Sequence, residues 1–363
     1  MKAIKIIKLF LPPLYYRVKG MIKNGHSFWY DQPTQKSLIY DCIREISDRR
    51  DLPLTDVARL SEEMKYGGMR YLVEGESEPA YYGDFYQLQK YAKMQIHNFS
   101  PKCMNIQHGI LCDLLEFEYT KLNNINFVWS PKIKQLFQEH TENPHFYAIG
   151  SPFFYVESIL SKEEIESERK RLGKNLLAFP SHSVYYADVQ YDARGFINLL
   201  KEQQKKFDSV RVCIYWRDYQ RGLAKVYEDA GFECVCCGHI YDPFFLERQR
   251  ALLEIADATI SNAVGSYVGH SVYLDKPHWM IPEKFEFKDL DNKGFGKRES
   301  DFMNASPNYQ QLRETFADNS EYRITQTHRD VVDKYWGISC IKTPEEMRAL
   351  IEKAYEVSEE LCK

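Results

Sequence analysis

The sequence predicts an α/β protein with parallel sheets, organised in two domains. Strand-like apolar runs alternate with amphipathic helical runs from residue 38 to the end of the chain, which is typical of parallel strands joined by helical crossovers. The chain has 363 residues, and because a single core stops growing at about 250 to 300 residues, two domains are expected. Hydrophobic residues at 44% and aromatic residues at 14% argue against disorder.

The first domain is assigned to residues 29–160. Its apolar and amphipathic runs are short and end at polar residues, glycine or proline. In order, they predict a helix over 37–50, a strand over 70–76, a helix over 85–99, and strands over 103–111, 126–131 and 145–152. A charged helix over 157–173, which ends at Gly173, separates this domain from the next one.

The second domain is assigned to residues 174–345, and residues 346–363 are predicted to form a helix that closes it. The predicted strands cover 175–183, 209–216, 232–238, 257–261 and 277–282, and a last strand begins at residue 338. The predicted helices cover 195–207, 222–231, 243–256 and 270–275. Six strand–helix alternations of this kind predict a Rossmann-like sheet with parallel strands.

The N-terminal segment of residues 1–28 is basic and amphipathic. Six basic residues precede the first acidic residue, Asp31. Pro12 and Pro13 interrupt the apolar run far short of the roughly 20 residues that a membrane-spanning helix needs. Residues 1–25 are therefore expected to lie on an anionic membrane surface, where each basic residue contributes about 1 kcal/mol. The alternative is a basic arm that folds onto the first domain.

Composition narrows the choice of partners and cofactors. The formal net charge of -4 gives no global signal for nucleic acid, so no nucleic-acid partner is expected. The nine cysteines form no CxxC pair and have no histidine at zinc-ligand spacing, so reduced thiols in a cytosolic protein are expected. The Asp-Leu-Asp sequence at 289–291 lies in a charged stretch and is interpreted as solvated surface, and no metal is predicted.

Small and hydrogen-bonding side chains are concentrated over residues 260–277, ISNAVGSYVGHSVYLDKP. Ligands of open parallel sheets bind beyond the carboxyl ends of the strands, where helix N-termini present backbone N–H groups. Glycine lets the backbone approach a diphosphate, and hydroxyl groups can bind its oxygens. The residues expected at such a phosphate site are Ser261, Asn262, Gly265, Ser266, His270 and Ser271. The alternative is a tight strand-to-helix turn whose glycines serve packing alone.

Residues 237–280 resemble the donor-binding half of GT-B glycosyltransferases, in which an ADxxIS strand precedes a Gly/Ser helix start and a DKP strand entry. As a pattern, the resemblance extends over 174–357. The sequences NIQHGI and AIGSPFF in the first domain are similar to segments of bacterial surface-polysaccharide transferases. The resemblance implies two Rossmann-like domains with parallel sheets facing across a cleft, a nucleotide-sugar donor in the second domain, and an acceptor in the first.

Two histidines and two acidic residues are candidates for catalysis under this resemblance. His182 follows the first strand of the second domain and is expected to face the donor phosphates, where it would donate a hydrogen bond or balance leaving-group charge. The alternative is a loop histidine bonded to a neighbouring carbonyl. His108 ends a first-domain strand and is the candidate base for the acceptor hydroxyl, with Asp113 and Glu116 as rivals.

Three further residues are candidates for donor binding. Arg217 follows a strand end and is expected to pair with a phosphate or a sugar carboxylate, or else to bridge Asp218 or Asp242. His239 and Tyr241 lie where GT-B proteins often hold the base of the nucleotide, so the resemblance assigns them to that part of the donor site.

The function expected from these features is the transfer of a sugar from a nucleotide-sugar donor to a glycan or lipid-linked acceptor in bacterial surface-polysaccharide synthesis. The enzyme would be cytoplasmic and peripheral to the inner face of the plasma membrane, and the nucleotide sugar would be a substrate, with no cofactor. The alternatives are a CDP-polyol phosphotransferase of the teichoic-acid type, a nucleotide-sugar 2-epimerase, and a GT-B-like module that binds glycan without turnover.

Overall fold

The computed structural model describes most of the chain from residue 47 onward. The described ranges are 47–63, 78–94, 100–101, 103–184, 186–281, 283, 285–290 and 294–361. The basic segment of residues 1–28 and the strand predicted over 70–76 lie outside the described residues. Of the helices that are described, none has both the length and the apolar composition needed to cross a bilayer.

The first sheet has three parallel strands within the described residues, in the order β1-β2-β3. They are β1 (Met104–Ile106), β2 (Ile125–Val128) and β3 (Phe146–Ala148), so the strands predicted over these parts of the chain are confirmed but shorter. Every residue of β1 and β2 is buried, including an asparagine in each. The two asparagines pair, because the amide of Asn105 donates to Oδ1 of Asn126 at 3.1 Å.

The second sheet has five parallel strands in the described part of the chain, in the order β7-β6-β4-β8-β9. They are β4 (Asn175–Phe179), β6 (Ser209–Cys213), β7 (Glu233–Val235), β8 (Ala258–Ser261) and β9 (His278–Met280), all within their predicted ranges. The chain builds outward from β4 to β7 and then returns to place β8 on the other side of β4. Open α/β sheets bind ligands at such a reversal of strand order.

The last strand, predicted to begin at residue 338, is wrong. Residues Ile338–Cys340 form a 3₁₀ turn directly after Gly337, whose left-handed φ of 70° ends the preceding helix. A Cβ atom on Gly337 would lie 1.9 Å from the backbone oxygen of Trp129, so the chain turns tightly against the end of β2. The isoleucines of this segment favour a strand, but the glycine turns the chain before one can form.

Helices cover the sheets on several sides. In chain order they are α1 (Val57–Ser61), α2 (Asp84–Tyr91), α3 (Pro131–Gln138), α4 (Lys162–Leu172), α5 (Ala193–Gln203), α6 (Trp216–Gln220), α7 (Leu223–Glu228), α8 (Phe245–Ile255), α9 (Ser266–Tyr273), α10 (Phe295–Ala305), α11 (Pro307–Ala317), α12 (Gln326–Trp336) and α13 (Pro344–Leu361). The charged helix predicted over 157–173 is confirmed as α4, which begins at a capping box of Ser161 and Glu164. The helix predicted over 270–275 begins earlier, at Ser266.

A two-stranded antiparallel sheet lies outside the predicted elements. It pairs β5 (Ala187–Gln190) with β10 (Glu286–Asp289). The carboxylate of Asp289 accepts the N–H of Gly296 at 2.7 Å, at the start of α10. Asp289 is partly exposed but does not lie in a loop, because it ends a strand and caps a helix. Residue 291 lies outside the described residues.

The C-terminal helix α13 packs on the first sheet. Apolar side chains recur on one face of α13, at Met347, Ile351 and Ala354, and they are buried together with Phe85 of α2 and Ile106 of β1. The prediction that residues 346–363 close the second domain is therefore wrong, because the described part of this helix closes onto the first sheet. Helical periodicity identifies an apolar face but not the surface that covers it.

One buried apolar cluster joins the two sheets. Trp129 and Phe153, which follow β2 and β3, belong to the same buried cluster as Phe179 at the end of β4 and Tyr267 in α9. The carboxyl ends of both sheets therefore face the same region of the molecule. The domain boundaries at 29–160 and 174–345 stay predictions.

Candidate functional site

A cavity lies where the carboxyl ends of the two parallel sheets meet. Its walls include residues that follow the first-sheet strands (His108, Trp129, Ser151) and residues at or just after the ends of β4, β6 and β7 (Phe179, Cys213, Cys237). Including its open mouth, the cavity measures about 690 Å³. It lies at the edge where parallel sheets bind ligands.

Four residues selected from the sequence line this cavity: His108, His182, Ser266 and His270. Asp84 and Gln249 add further polar groups, and most of the remaining wall is aromatic or aliphatic. Among the described residues, no lysine or arginine lines the cavity. A negatively charged group of a ligand would thus be bound by neutral donors, by a histidine or by a helix N-terminus.

His182 fits both interpretations of the sequence. Its Nδ1 lies 3.1 Å from the carbonyl oxygen of Ser183, as in a loop histidine. Because a carbonyl can only accept, Nδ1 carries the hydrogen and Nε2 carries the lone pair of the neutral ring. The half-buried ring also forms part of the cavity wall and packs on Tyr215, with ring centroids 4.5 Å apart. Bonding to a carbonyl therefore orients His182 rather than removing it from the site.

His108 lies on the first-sheet side of the same cavity, two residues beyond β1. Its half-buried ring meets the edge of Tyr81, with ring centroids 4.8 Å apart, and Tyr82 lies next to it at 6.2 Å. The structure thus brings His108 and His182 to one cavity from different sheets. The role of His108 as a base stays a prediction.

His270 forms part of the cavity wall, but both of its ring nitrogens are bonded within the protein. Nδ1 donates to Oε1 of Gln249 and Nε2 accepts from the hydroxyl of Ser151, both at 2.9 Å. Its ring stacks on Phe153 at 4.1 Å, and burial lowers the pKa of His270 to about 3. The neutral ring therefore links α9 to α8 and to the end of β3, and it offers no free nitrogen to a phosphate.

Helix α9 begins at the cavity and carries the feature expected of a phosphate site. Gly265, in an extended conformation, precedes the helix and provides no side-chain cap. The first backbone N–H groups of α9 therefore lack a capping side chain, and the half-buried Ser266 lies beside them in the cavity wall. An uncapped helix N-terminus attracts anions through its partial positive charge.

Gly265 also has a packing role. A Cβ atom at this position would lie 2.3 Å from the ring of Tyr267, which stacks on Phe179 at 4.4 Å. Any larger residue would displace Tyr267 from the cavity wall. A Gly265→Val variant would thus alter the wall itself, and Ser266→Ala is the cleaner test of a phosphate site.

Ser261, Asn262 and Ser271 are buried and bonded within the protein. The hydroxyl of Ser261 donates to the carbonyl of Ala263 at 2.8 Å, and Oδ1 of Asn262 accepts the N–H of Ser181 at 2.7 Å. The hydroxyl of Ser271 donates to a backbone carbonyl one turn earlier in α9, at 2.7 Å. They lie at the end of β8, in the turn after it and within α9, and none of the three lines the cavity.

Arg217 also lies outside the cavity lining. Its guanidinium pairs with Asp188 of β5 at 3.3 Å, and not with Asp218 or Asp242, the two partners weighed from the sequence. The carboxylate of Asp242 instead pairs with Arg248 at 2.9 Å. The β5 strand was not predicted, so its aspartate could not be proposed as a partner.

His239 and Tyr241 lie next to the cavity without lining it. His239 packs on Trp216 at 4.2 Å, and its Nδ1 accepts the N–H of Tyr241 at 3.3 Å. Burial, and secondly the charge of Arg49, lower the pKa of His239 to about 4. Tyr241 contacts Tyr81, whose ring in turn contacts His108. The two residues thus belong to an aromatic row that leads to the cavity.

Asp113 is placed away from the cavity. Its carboxylate accepts hydrogen bonds from Ser306 and from Asn308, the latter at 2.7 Å, at the start of α11. It borders a second, shallower depression that also includes His140. Asp113 therefore holds two side chains at the start of α11, including that of its N-cap residue Ser306. The side chain of its rival Glu116 is outside the described part of the structure.

The cavity wall also includes residues that the sequence pattern does not indicate, among them Asp84, Tyr82 and Tyr215. Asp84 starts α2, and because acidic residues are common at helix starts, its sequence position carries no functional signal. Tyr215 follows β6, so its place after a strand was the available signal. The hydroxyls of Tyr82 and Tyr215 lie 3.3 Å apart and join the segment before α2 to the second sheet.

Among the described residues, no three His, Cys, Asp or Glu side chains are grouped as a metal site. In comparisons with known proteins, no family model matches this chain and no curated protein matches it. The functional assignment therefore depends on the geometry of the cavity.

Proposed function

We propose that this chain is a glycosyltransferase that moves a sugar from a nucleotide-sugar donor to a glycan or lipid-linked acceptor, with its two sheets as the halves of a GT-B arrangement. One observation carries the proposal: a single cavity is lined from the carboxyl ends of both parallel sheets, with His108 on one side and His182 and the start of α9 on the other. Parallel sheets bind nucleotides at this edge, and a donor and an acceptor bound to different sheets would meet there.

The second-sheet side of the cavity fits the donor phosphates. The first N–H groups of α9 and the hydroxyl of Ser266 would donate to the phosphate oxygens. Negative charge develops on the diphosphate as its bond to the sugar breaks, and the partial charge of the helix and a protonated His182 would stabilise it. Because no lysine or arginine lines the described cavity, we expect α9 to provide most of this stabilisation.

The first-sheet side fits the acceptor. His108 would take the proton of the acceptor hydroxyl as its oxygen forms the new bond to the sugar, while the electron pair of the broken bond leaves on the diphosphate. An imidazole is suited to this step because it exchanges a proton near neutral pH. Glycan or lipid-linked acceptors carry hydroxyl groups that could enter through the open mouth of the cavity.

A binding screen tests the proposal. The protein is mixed with UDP-, GDP-, CMP-, CDP- and dTDP-linked sugars and with CDP-glycerol, and unfolding is followed with each ligand. A ligand at 100 times its dissociation constant is expected to add about 2.7 kcal/mol to the stability. If no compound stabilises the protein, the proposal is wrong. Stabilisation by CDP-glycerol alone would replace sugar transfer by polyol-phosphate transfer.

Two variants locate the donor. We expect Ser266→Ala and His182→Ala each to weaken donor binding about tenfold or more in calorimetry, because a lost hydrogen bond to a charged group costs about 1.5 to 3 kcal/mol. His140→Ala is the matched control, since His140 is exposed and borders the second depression. Donor affinity that is unchanged in both variants would contradict the assignment of this wall to the phosphates.

A further inference from the structure

Asp84 places a buried carboxyl group on the wall of the cavity. The residue is the first of α2 and is 2% exposed. Its Oδ2 atom is buried and forms no hydrogen bond with any described residue. Gly83 occupies the cap position of α2, and no side-chain hydrogen bond caps this helix, so the carboxyl group does not serve the helix end.

The backbone before Asp84 is fixed against the second half of the chain. Tyr82 and Gly83 both have left-handed φ angles, 56° and 75°, which is uncommon for a tyrosine. The N–H of Tyr82 donates to the carbonyl of Ile240 at 2.6 Å, and a Cβ atom on Gly83 would lie 2.5 Å from the backbone oxygen of Pro243. These contacts fix the strained backbone of residues 82–83, and this backbone positions Asp84 in the cavity wall.

An unpartnered buried carboxyl group is unfavourable for folding, because its desolvation is not offset by a hydrogen bond. Burial raises the pKa of Asp84 well above its ordinary value, which favours the neutral acid. A neutral carboxyl group both donates and accepts hydrogen bonds, as a hydroxyl group does. An ionised phosphate oxygen can only accept them. The chemistry of Asp84 therefore matches a sugar hydroxyl better than a phosphate.

The surroundings of Asp84 fit the same ligand group. Tyr82 and Tyr215 line the cavity with it, and their rings offer flat apolar surfaces on which the face of a sugar ring can pack. The start of α9, which attracts anions, belongs to a different element of the wall. A ligand with a neutral, hydroxyl-rich end and an anionic end can bind Asp84 with one end and the start of α9 with the other.

We propose that Asp84 hydrogen-bonds a hydroxyl group on the sugar of the nucleotide-sugar donor, with the phosphates directed to the N-terminus of α9. This inference rests on the proposed function and adds the orientation of the donor in the cavity. The opposite orientation would place the neutral sugar at the N-terminus of α9, which attracts anions, and would leave the phosphates without that stabilisation.

Calorimetry on variants tests the proposal. Wild type, Asp84→Asn and Asp84→Ala are titrated with the donor found in the screen and with the corresponding nucleoside diphosphate, which lacks the sugar. We expect Asp84→Ala to weaken donor binding about tenfold while diphosphate binding changes less than about twofold. Asp84→Asn should have a smaller effect, because an amide also donates and accepts. Glu163→Gln, an exposed acid in the first turn of α4, is the control.

A second measurement uses the wild-type protein and does not depend on turnover. The infrared band of a protonated carboxyl group that is present in wild type and absent in Asp84→Asn should shift when the donor is added. Full donor affinity in Asp84→Ala with an unmoved band would overturn the role of Asp84 and leave the proposed function intact. If no nucleotide sugar binds, the band is recorded with free glucose, galactose and N-acetylglucosamine. A shift would then support recognition of a sugar by Asp84 without the proposed function, and no shift would overturn both.

Discussion

Histidine is used in two ways around the cavity. His108 and His182 are half-buried in the wall, so their rings can reach a ligand. His270 and His278 are buried as neutral rings, and both nitrogens of each ring are hydrogen-bonded to neighbouring side chains. The two pairs differ in how deeply the rings are buried. Of these four histidines, His108 and His182 are the candidates for chemistry on a bound substrate.

We expect His108→Ala to slow transfer while leaving donor binding nearly unchanged, because His108 lies on the first-sheet side and the start of α9 on the second. Loss of a general base typically reduces the rate by about 10² to 10⁴. The measurements are kcat and the dissociation constant of the donor, with the exposed His140→Ala as control. Full rate in His108→Ala, or a loss that is undiminished with an acceptor whose hydroxyl is more acidic, would exclude His108 as the base.

The Gly/Ser stretch shows how far single residues can be predicted from the sequence. Its location at a strand end and helix start is confirmed, and Ser266 lines the cavity. Asn262, in contrast, bonds to Ser181, which is 81 residues away in the chain. A local pattern identifies polar groups but not their distant partners. For the same reason the sequence does not indicate Asp84. Its distinguishing feature is a buried Oδ2 atom that has no hydrogen-bond partner among the described residues.

Among the secondary-structure elements, α9 is held in place by unusually close contact with α12. A Cβ atom on Gly269 would lie 2.3 Å from the ring of Trp336, and the indole N–H of Trp336 donates to the carbonyl of Ser266 at 2.9 Å. Gly269 therefore allows α9 and α12 to pack closely. This agrees with the alternative interpretation that the glycines of this stretch serve packing. The contact also fixes the end of α9 that faces the cavity.

We expect Gly269→Ala to lower the free energy of unfolding by about 1 to 3 kcal/mol, because the added methyl group overlaps the Trp336 ring. In an open helix the same change would raise stability by about 0.5 to 1 kcal/mol, so the sign is diagnostic. Urea unfolding provides the measurement. Adding Trp336→Phe to Gly269→Ala should recover part of the loss, and a stabilised Gly269→Ala variant would contradict the close contact.

The elements that the sequence predicted best are the buried strands of the second sheet. β4 and β8 are completely buried, and residues 176–179 of β4 form the continuous apolar run typical of parallel sheets. The antiparallel pair β5–β10 was missed because both strands are polar and partly exposed. Gln190 of β5 pairs with Glu286 of β10, and no local pattern indicates a partner so far along the chain.

In the whole molecule, packing across the two sheets holds the cavity walls together. One buried cluster includes Trp129 and Phe153 from the first sheet side and Phe179 and Trp336 from the second half. Helix α13 follows the second half of the chain but packs on the first sheet through Ile351. Local periodicity indicates that the strands and α13 have apolar faces. It does not indicate that these faces pack across the two halves of the chain.

The stability of the whole molecule is expected to fall as the pH is lowered from about 7 to 5. Burial is the main cause that lowers the pKa of His239 to about 4 and those of His270 and His278 to about 3. Below the ordinary histidine value of about 6.5, the unfolded chain therefore takes up protons that the folded protein does not. Each histidine contributes a slope of up to about 1.4 kcal/mol per pH unit.

Asp84 acts in the opposite direction, because its raised pKa makes the folded protein retain a proton that the unfolded chain loses above about pH 3.9. Between pH 5 and 7 the three histidines should outweigh this one carboxyl group, so the midpoint of urea unfolding should rise with pH. His278→Gln should show a smaller slope than wild type, and Asp84→Asn a larger one. A wild-type midpoint that is flat over this range would show that the buried histidines are not neutral in the fold.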